Sequence, residues 1–173
     1  AKILPVLTYK NLNNLKPFKS TQEIIVYCTM CEELFPNDVE KSQEIVDIIL
    51  PQFDISVDLY LKNFFLRNVK KDNYDLIFTT SSKILKSLDD YELMKSIVIS
   101  GHALGKTKQD LYDLIDNLVG SKSRNARLIR FEIDLVYDKK INQQSLQYYL
   151  ERFHNRPCCV ADITHYRKYL SDD

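Results

Sequence analysis

The sequence predicts an α/β fold for residues 22–120, a mostly parallel four-stranded sheet flanked by helices, and three observations predict it. Short apolar runs of strand length alternate with stretches of helical period, the order expected of strands covered by crossover helices. The 173 residues are 45% hydrophobic and 28% charged, enough apolar material for a sizeable core and too much for a disordered chain. No apolar run approaches the roughly twenty residues of a membrane span.

The elements follow in order. Residues 1–21, with Pro5 and Pro17 and little periodicity, read as an extended arm. Ile24, Ile25, Val26, Tyr27 and Cys28 form a continuous apolar run of the kind a strand buried on both faces requires. Asn37, Asp38 and Glu40 supply the caps of a helix whose Ser42, Ile45, Val46, Ile49, Leu50 and Phe53 recur at spacings of three and four. Residues 55–61 alternate with period 2 and predict an edge strand, and residues 74–80 and 96–100 predict two more strands. Thr107 and Asp110 make a second capping box, followed by an apolar stripe through Leu111, Leu114, Ile115, Leu118 and Val119 that Gly120 ends.

The polar stretch 120–125 marks an expected domain edge, which leaves 121–173 as an appendage or the start of a second domain. There Ile129, Phe131, Ile133, Leu135 and Tyr137 alternate with mostly polar neighbours as in a long strand, a short helix begins at Asn142 or Ser145, and residues 161–170 suggest another. Charge divides at the same point. Residues 1–120 hold 14 basic and 17 acidic side chains against 10 and 7 in the remainder, and only Arg67 among the arginines precedes position 120. With a net charge of zero, nothing global draws the chain to nucleic acid or an acidic membrane.

Three constellations could carry chemistry. Cys28 and Cys31 form a C-x-x-C pair at a predicted strand end, the spacing of redox-active dithiols. Glu32 and Glu33 would raise a thiol pKa there, however, and two ordinary semi-buried thiols are the simpler reading. Joined with His154, Cys158, Cys159 and His165 they would offer zinc ligands, but adjacent Cys158 and Cys159 suit no paired half-site, so no metal and no cofactor is expected. Gly101, Gly105, Lys106 and Thr107 fall one residue short of a phosphate-binding loop, and a plain turn with Thr107 as N-cap explains each of them. Arg124, Arg127 and Arg130, with Lys122, make a basic cluster without the interleaved aromatics of a nucleic-acid surface. It reads as a solvated face or a contact for a protein partner.

The order of elements from 23 to 119, with the phrases YDLIFTT at 74–80 and SIVISGHALGKTKQDLYDLIDNL at 96–118, resembles the enzyme IIB domains of the sugar phosphotransferase system, and more particularly the IIB-like domains of Mga-type and BglG-type transcription regulators. The resemblance implies a phosphoryl-accepting cysteine at Cys28. The chain offers no glycine beside it, two carboxylates instead and Pro36 without an N–H, so phosphocarrier chemistry is not expected. What the resemblance then implies is a regulatory, non-catalytic domain of a cytoplasmic bacterial transcription regulator. It would act through a protein partner or a homodimer and reach DNA only through other domains of a longer protein. The alternatives are a phosphocarrier or redox enzyme using Cys28 with Cys31, and a nucleotide-binding module at 101–107.

Overall fold

The computed structural model describes residues 12–140 and 143–153. These residues form helices joined by turns, with no strand among them, so the four-stranded sheet is replaced by an all-helical fold. The chain divides into two compact units, Ala1–Asn73 and Tyr74–Asp173.

In the first unit, α1 (Thr21–Leu34), α2 (Val39–Ile49, extended by a 3-10 turn at Leu50–Asp54) and α3 (Leu59–Asn68) pack on one another. The apolar run at 24–28, expected as a strand, lies inside α1. The Ser20 hydroxyl caps this helix by accepting from the Glu23 N–H at 3.3 Å, and the Glu23 carboxylate accepts from the Lys19 N–H at 2.6 Å. Only Ile24, Tyr27, Cys28 and Cys31 of the helix are buried, a spacing of three, one and three. The expected edge strand at 55–61 is cut in two by Asp58, whose carboxylate caps α3 by accepting from the N–H groups of Tyr60 and Leu61. The helix expected over 37–53 is present, with Asp38 rather than Asn37 as its N-cap. Glu44 on α2 gathers Lys16, Tyr27 and Lys41 about one carboxylate. Burial works to raise that carboxyl, and the three hydrogen bonds overcome it and hold it at about 2.

The second unit contains α4 (Tyr74–Leu85), α5 (Tyr91–Ala103), α6 (Lys108–Val119), α7 (Arg124–Asp138) and α8 (Gln143–Phe153). Each helix packs on the next, and α4 also touches α6 while α5 touches α7, the contact pattern of stacked helical hairpins. The strands expected at 74–80 and 96–100 are segments of α4 and α5. Asp90 caps α5 by accepting from the Leu93 N–H at 3.1 Å, and Leu93, Met94, Ile97, Val98 and Gly101 are buried along it. The period-2 reading of 129–137 fails for a different reason. α7 packs on α5, α6 and α8 at once, so it buries two adjacent rows, Ala126, Ile129 and Ile133 in one and Leu128 and Phe131 in the other. Interleaved in sequence, two helical rows imitate the alternation of a strand. The capping box of Thr107 and Asp110 and the end of α6 at Gly120 stand where the sequence places them. The helix expected over 161–170 lies outside the described residues.

Candidate functional site

Cys28 and Cys31 lie three residues apart on α1, both fully buried. Burial, then the neighbouring Cys31, Glu32 and Glu44, push the Cys28 thiol up to about 12, and burial raises Cys31 as well. Fully buried and favoured in the neutral form, these thiols are poorly suited to act as a nucleophile or a phosphoryl acceptor. Among the described residues no three His, Cys, Asp or Glu side chains stand together as a metal site. His154, Cys158, Cys159 and His165 lie outside those residues.

The 101–107 segment is not an open loop. Gly101 belongs to α5, and a Cβ there would come within 2.7 Å of Leu111 and 3.1 Å of Phe78, so α4, α5 and α6 meet on a residue without a side chain. Beyond it, the Lys106 N–H donates to the Gly101 carbonyl at 2.9 Å and the Gly105 N–H to the His102 carbonyl at 3.0 Å. With Gly105 at φ 79° this is a Schellman ending. The Leu104 N–H donates to the Ser100 carbonyl and the Thr107 N–H to the Asp110 carboxylate. Every backbone donor from 104 to 107 is therefore used inside the turn, and none is left to wrap a phosphate.

The arginines fall into two kinds. Arg130 holds the Asp116 carboxylate at 3.3 Å and lies over the Tyr112 ring. It borders a network in which Lys108 bridges Asp134 at 2.8 Å and Asp138 at 2.5 Å while the Tyr112 hydroxyl donates to Asp134 at 2.6 Å. Burial works to lower the Lys108 ammonium, and the two aspartates outweigh it and raise it. Burial and then Asp134 push the Tyr112 phenol up to about 12. This network fastens α6 to α7.

Among the described residues Arg124 and Arg127 make no such contact. With Lys122, Tyr148 and Glu151 they line an open cleft of about 390 Å³ formed by the α6–α7 turn, the start of α7 and α8. The segment that carries Arg124 is tied to Asp89. The Ser123 hydroxyl donates to the Asp89 carboxylate at 2.7 Å, and the Asn125 amide donates to both the carboxylate and the carbonyl of Asp89. Sequence reasoning found the basic cluster and missed Asp89, because nothing in a pair of adjacent aspartates before a helix marks one of them as a clamp for a turn 34 residues away.

Residues 72–173 match the family described as the N-acetyltransferase B complex (NatB) non catalytic subunit. The chain belongs to this family. It is 43% identical, over 99% of its length, to the N-terminal acetyltransferase B complex subunit MDM20 of Saccharomyces cerevisiae, of which the match covers 22%. Two solved structures resemble it at 28% identity. One is a NatB acetyltransferase complex bound to CoA and MES, with a TM-score of 0.62 over 99% of this chain and 21% of that one. The other is the NatB complex bound to a bisubstrate inhibitor, with a TM-score of 0.61 over 96% and 22%. The chain thus spans about a fifth of the length of the relatives it matches.

Membership of the NatB non-catalytic family overturns the likeness to enzyme IIB and the regulator function drawn from it. The phrases at 74–80 and 96–118 are apolar stretches of α4, α5 and α6, and their likeness to strand and helix phrases of an α/β domain rested on apolar runs that cannot by themselves separate strand from buried helix. The phosphocarrier, dithiol and nucleotide alternatives fall with it, against the buried thiols and the closed 104–107 turn.

Proposed function

We propose that this chain is a helical-hairpin stretch of the non-catalytic subunit of a NatB N-terminal acetyltransferase complex, and that it serves by protein contact, helping to hold the catalytic subunit in its assembly. The observation that carries this reading is 43% identity over nearly the whole chain to a subunit of that complex. The fold supports it, since stacked helical hairpins present long continuous surfaces suited to a protein partner. A homodimer and DNA contact through further domains lose their support with the regulator resemblance. Among the described residues no helix is long and apolar enough to cross a membrane, and a cytoplasmic location is retained as part of this proposal.

The test is an exchange. The corresponding stretch of the yeast subunit is replaced by this chain, and the chimera is co-expressed with the catalytic subunit. We expect the two to co-purify and to acetylate protein N-termini at a rate close to that of the parent complex. A chimera with native helical content that leaves the catalytic subunit behind would refute the assignment.

A further inference from the structure

We infer that the cleft lined by Lys122, Arg124, Arg127 and Tyr148 is a docking surface for an acidic segment of a protein partner, an Asp- and Glu-rich stretch of chain. The first support is the pairing of the arginines. Of the four arginines whose side chains are described, Arg67 takes Glu32 in a two-pronged grip at 3.0 and 2.8 Å and Arg130 takes Asp116. Arg124, Arg127 and Lys122 stand in no ion pair among the described residues, although Glu151 lines the same cleft.

The second support is electrostatic placement. Helices α1, α2, α4, α5 and α6 carry an acid in the first turn, as Glu23, Glu40, Asp75, Glu92 and Asp110. Such acids oppose the positive end of the helix dipole. Helix α7 has no acid in its first turn and opens on Arg124 with Arg127 one turn on. Two guanidinium groups and an ammonium thus stand at the positive end of a helix whose start is faced by the Asp89 carboxylate, which is taken by Ser123 and Asn125 and pairs with none of the three cations. Helices α3 and α8 also lack such an acid, so the absence alone does not mark α7; its two arginines lining the cleft do.

The chemistry of the entrant follows from the lining. Guanidinium forks match carboxylates two oxygens at a time, and the Tyr148 phenol adds a donor and an apolar ring at the wall. Glu151 in the same lining sets a limit to the positive field and so favours a short acidic segment over a continuous phosphate backbone, as does a chain of zero net charge. The choice of a protein over a nucleic acid also draws on the scaffold role proposed above, but binding of a free peptide needs no catalytic subunit, so failure of one reading leaves the other standing.

The test is fluorescence anisotropy with this chain and three labelled probes: a short peptide of Asp and Glu with one Tyr, its Lys-substituted counterpart, and a single-stranded RNA of equal charge. The acidic peptide should bind, with affinity that falls as salt rises, and the Lys peptide should not. The double variant R124E/R127E should weaken acidic-peptide binding about tenfold or more, whereas R130A, which removes a guanidinium already engaged, should change it less than about twofold. Because the double variant places acids at a helix start, its melting temperature should hold or rise, so lost binding is not lost folding. Failure of the peptide to bind, indifference to R124E/R127E, or tighter binding of the RNA would each overturn the inference.

Discussion

The turns that begin α6 and α7 stand one helix apart and are built on opposite plans. At the α5–α6 turn every backbone donor from 104 to 107 is taken, Asp110 completes a capping box and faces the helix dipole with the favourable sign, and Gly101 lets three helices close behind it. At the α6–α7 turn Ser123 caps the helix by accepting from the Ala126 N–H and is tied to Asp89, yet the first turn carries two arginines that the described residues leave without partners. The two starts are alike in backbone and differ in charge. The first is explained in full by folding, and the second keeps two arginines at a helix start whose neighbouring carboxylate, Asp89, is taken by Ser123 and Asn125. That difference separates a structural turn from a surface, and substitutions at each can break or sharpen it.

The largest effect is expected at the structural turn. Gly101→Val drives a branched side chain against Leu111, itself fully buried, and against Phe78. Overpacking of this kind should cost about 3 kcal/mol. Gly101→Ala should lose far less, since the better helix propensity of alanine returns up to about 1 kcal/mol of the strain. Urea unfolding of the two variants decides it: equal and small losses would mean that the three helices do not close tightly on this position.

Next comes the network that joins the two turns' helices. Lys108→Met leaves Asp134, mostly buried, with the Tyr112 hydroxyl but without its cation. A third of the lysine side chain meets water, which tempers the loss to about 1–2 kcal/mol, below that of a fully buried broken pair. Asp134→Asn with Lys108→Met should recover part of it, and a double-mutant cycle measures how much.

Thr107→Ala removes the hydroxyl half of the capping box and should cost about 1 kcal/mol, seen as a shift of the urea midpoint at constant slope. A neutral result would show that Asp110 holds the start of α6 alone.

How legible these features were depends on which residues announced them. The capping box of Thr107 and Asp110 and the stop at Gly120 were readable because cap chemistry is local. The same chemistry stood in plain sight at Ser20 with Glu23, at Asp58 and at Asp90, and each marks a helix start that contradicts a strand. A run such as 24–28 has no periodicity to separate a buried strand from a buried helix, so its cap and its flanks had to decide. The scarcity of glycine, three in the whole chain, pointed the same way: a sheet with crossover helices needs more turn glycines than a series of hairpins with short, well-capped turns. What sequence could not disclose is which cations are already engaged. Arg124, Arg127 and Arg130 form one cluster in sequence, and only the fold brings Asp116 to the third and leaves the other two at the cleft.

The smallest stability effect belongs to that second turn, and its sign matters more than its size. Arg124→Glu replaces a charge that opposes the dipole of α7 with one that favours it, so the variant should be as stable as the parent or more so, by about 0.5 kcal/mol at low salt. The gain should shrink as salt rises, because the side chain is exposed and the interaction is screened over about a Debye length. The comparable reversal at the first turn, Asp110→Lys, should destabilise, since it removes a carboxylate that accepts from the Thr107 N–H at 2.9 Å. Thermal melts of the two variants at low and high salt therefore give opposite signs if the two turns differ as described. A loss of stability in Arg124→Glu would mean that the arginine serves the fold, and the start of α7 would then need no partner to explain it.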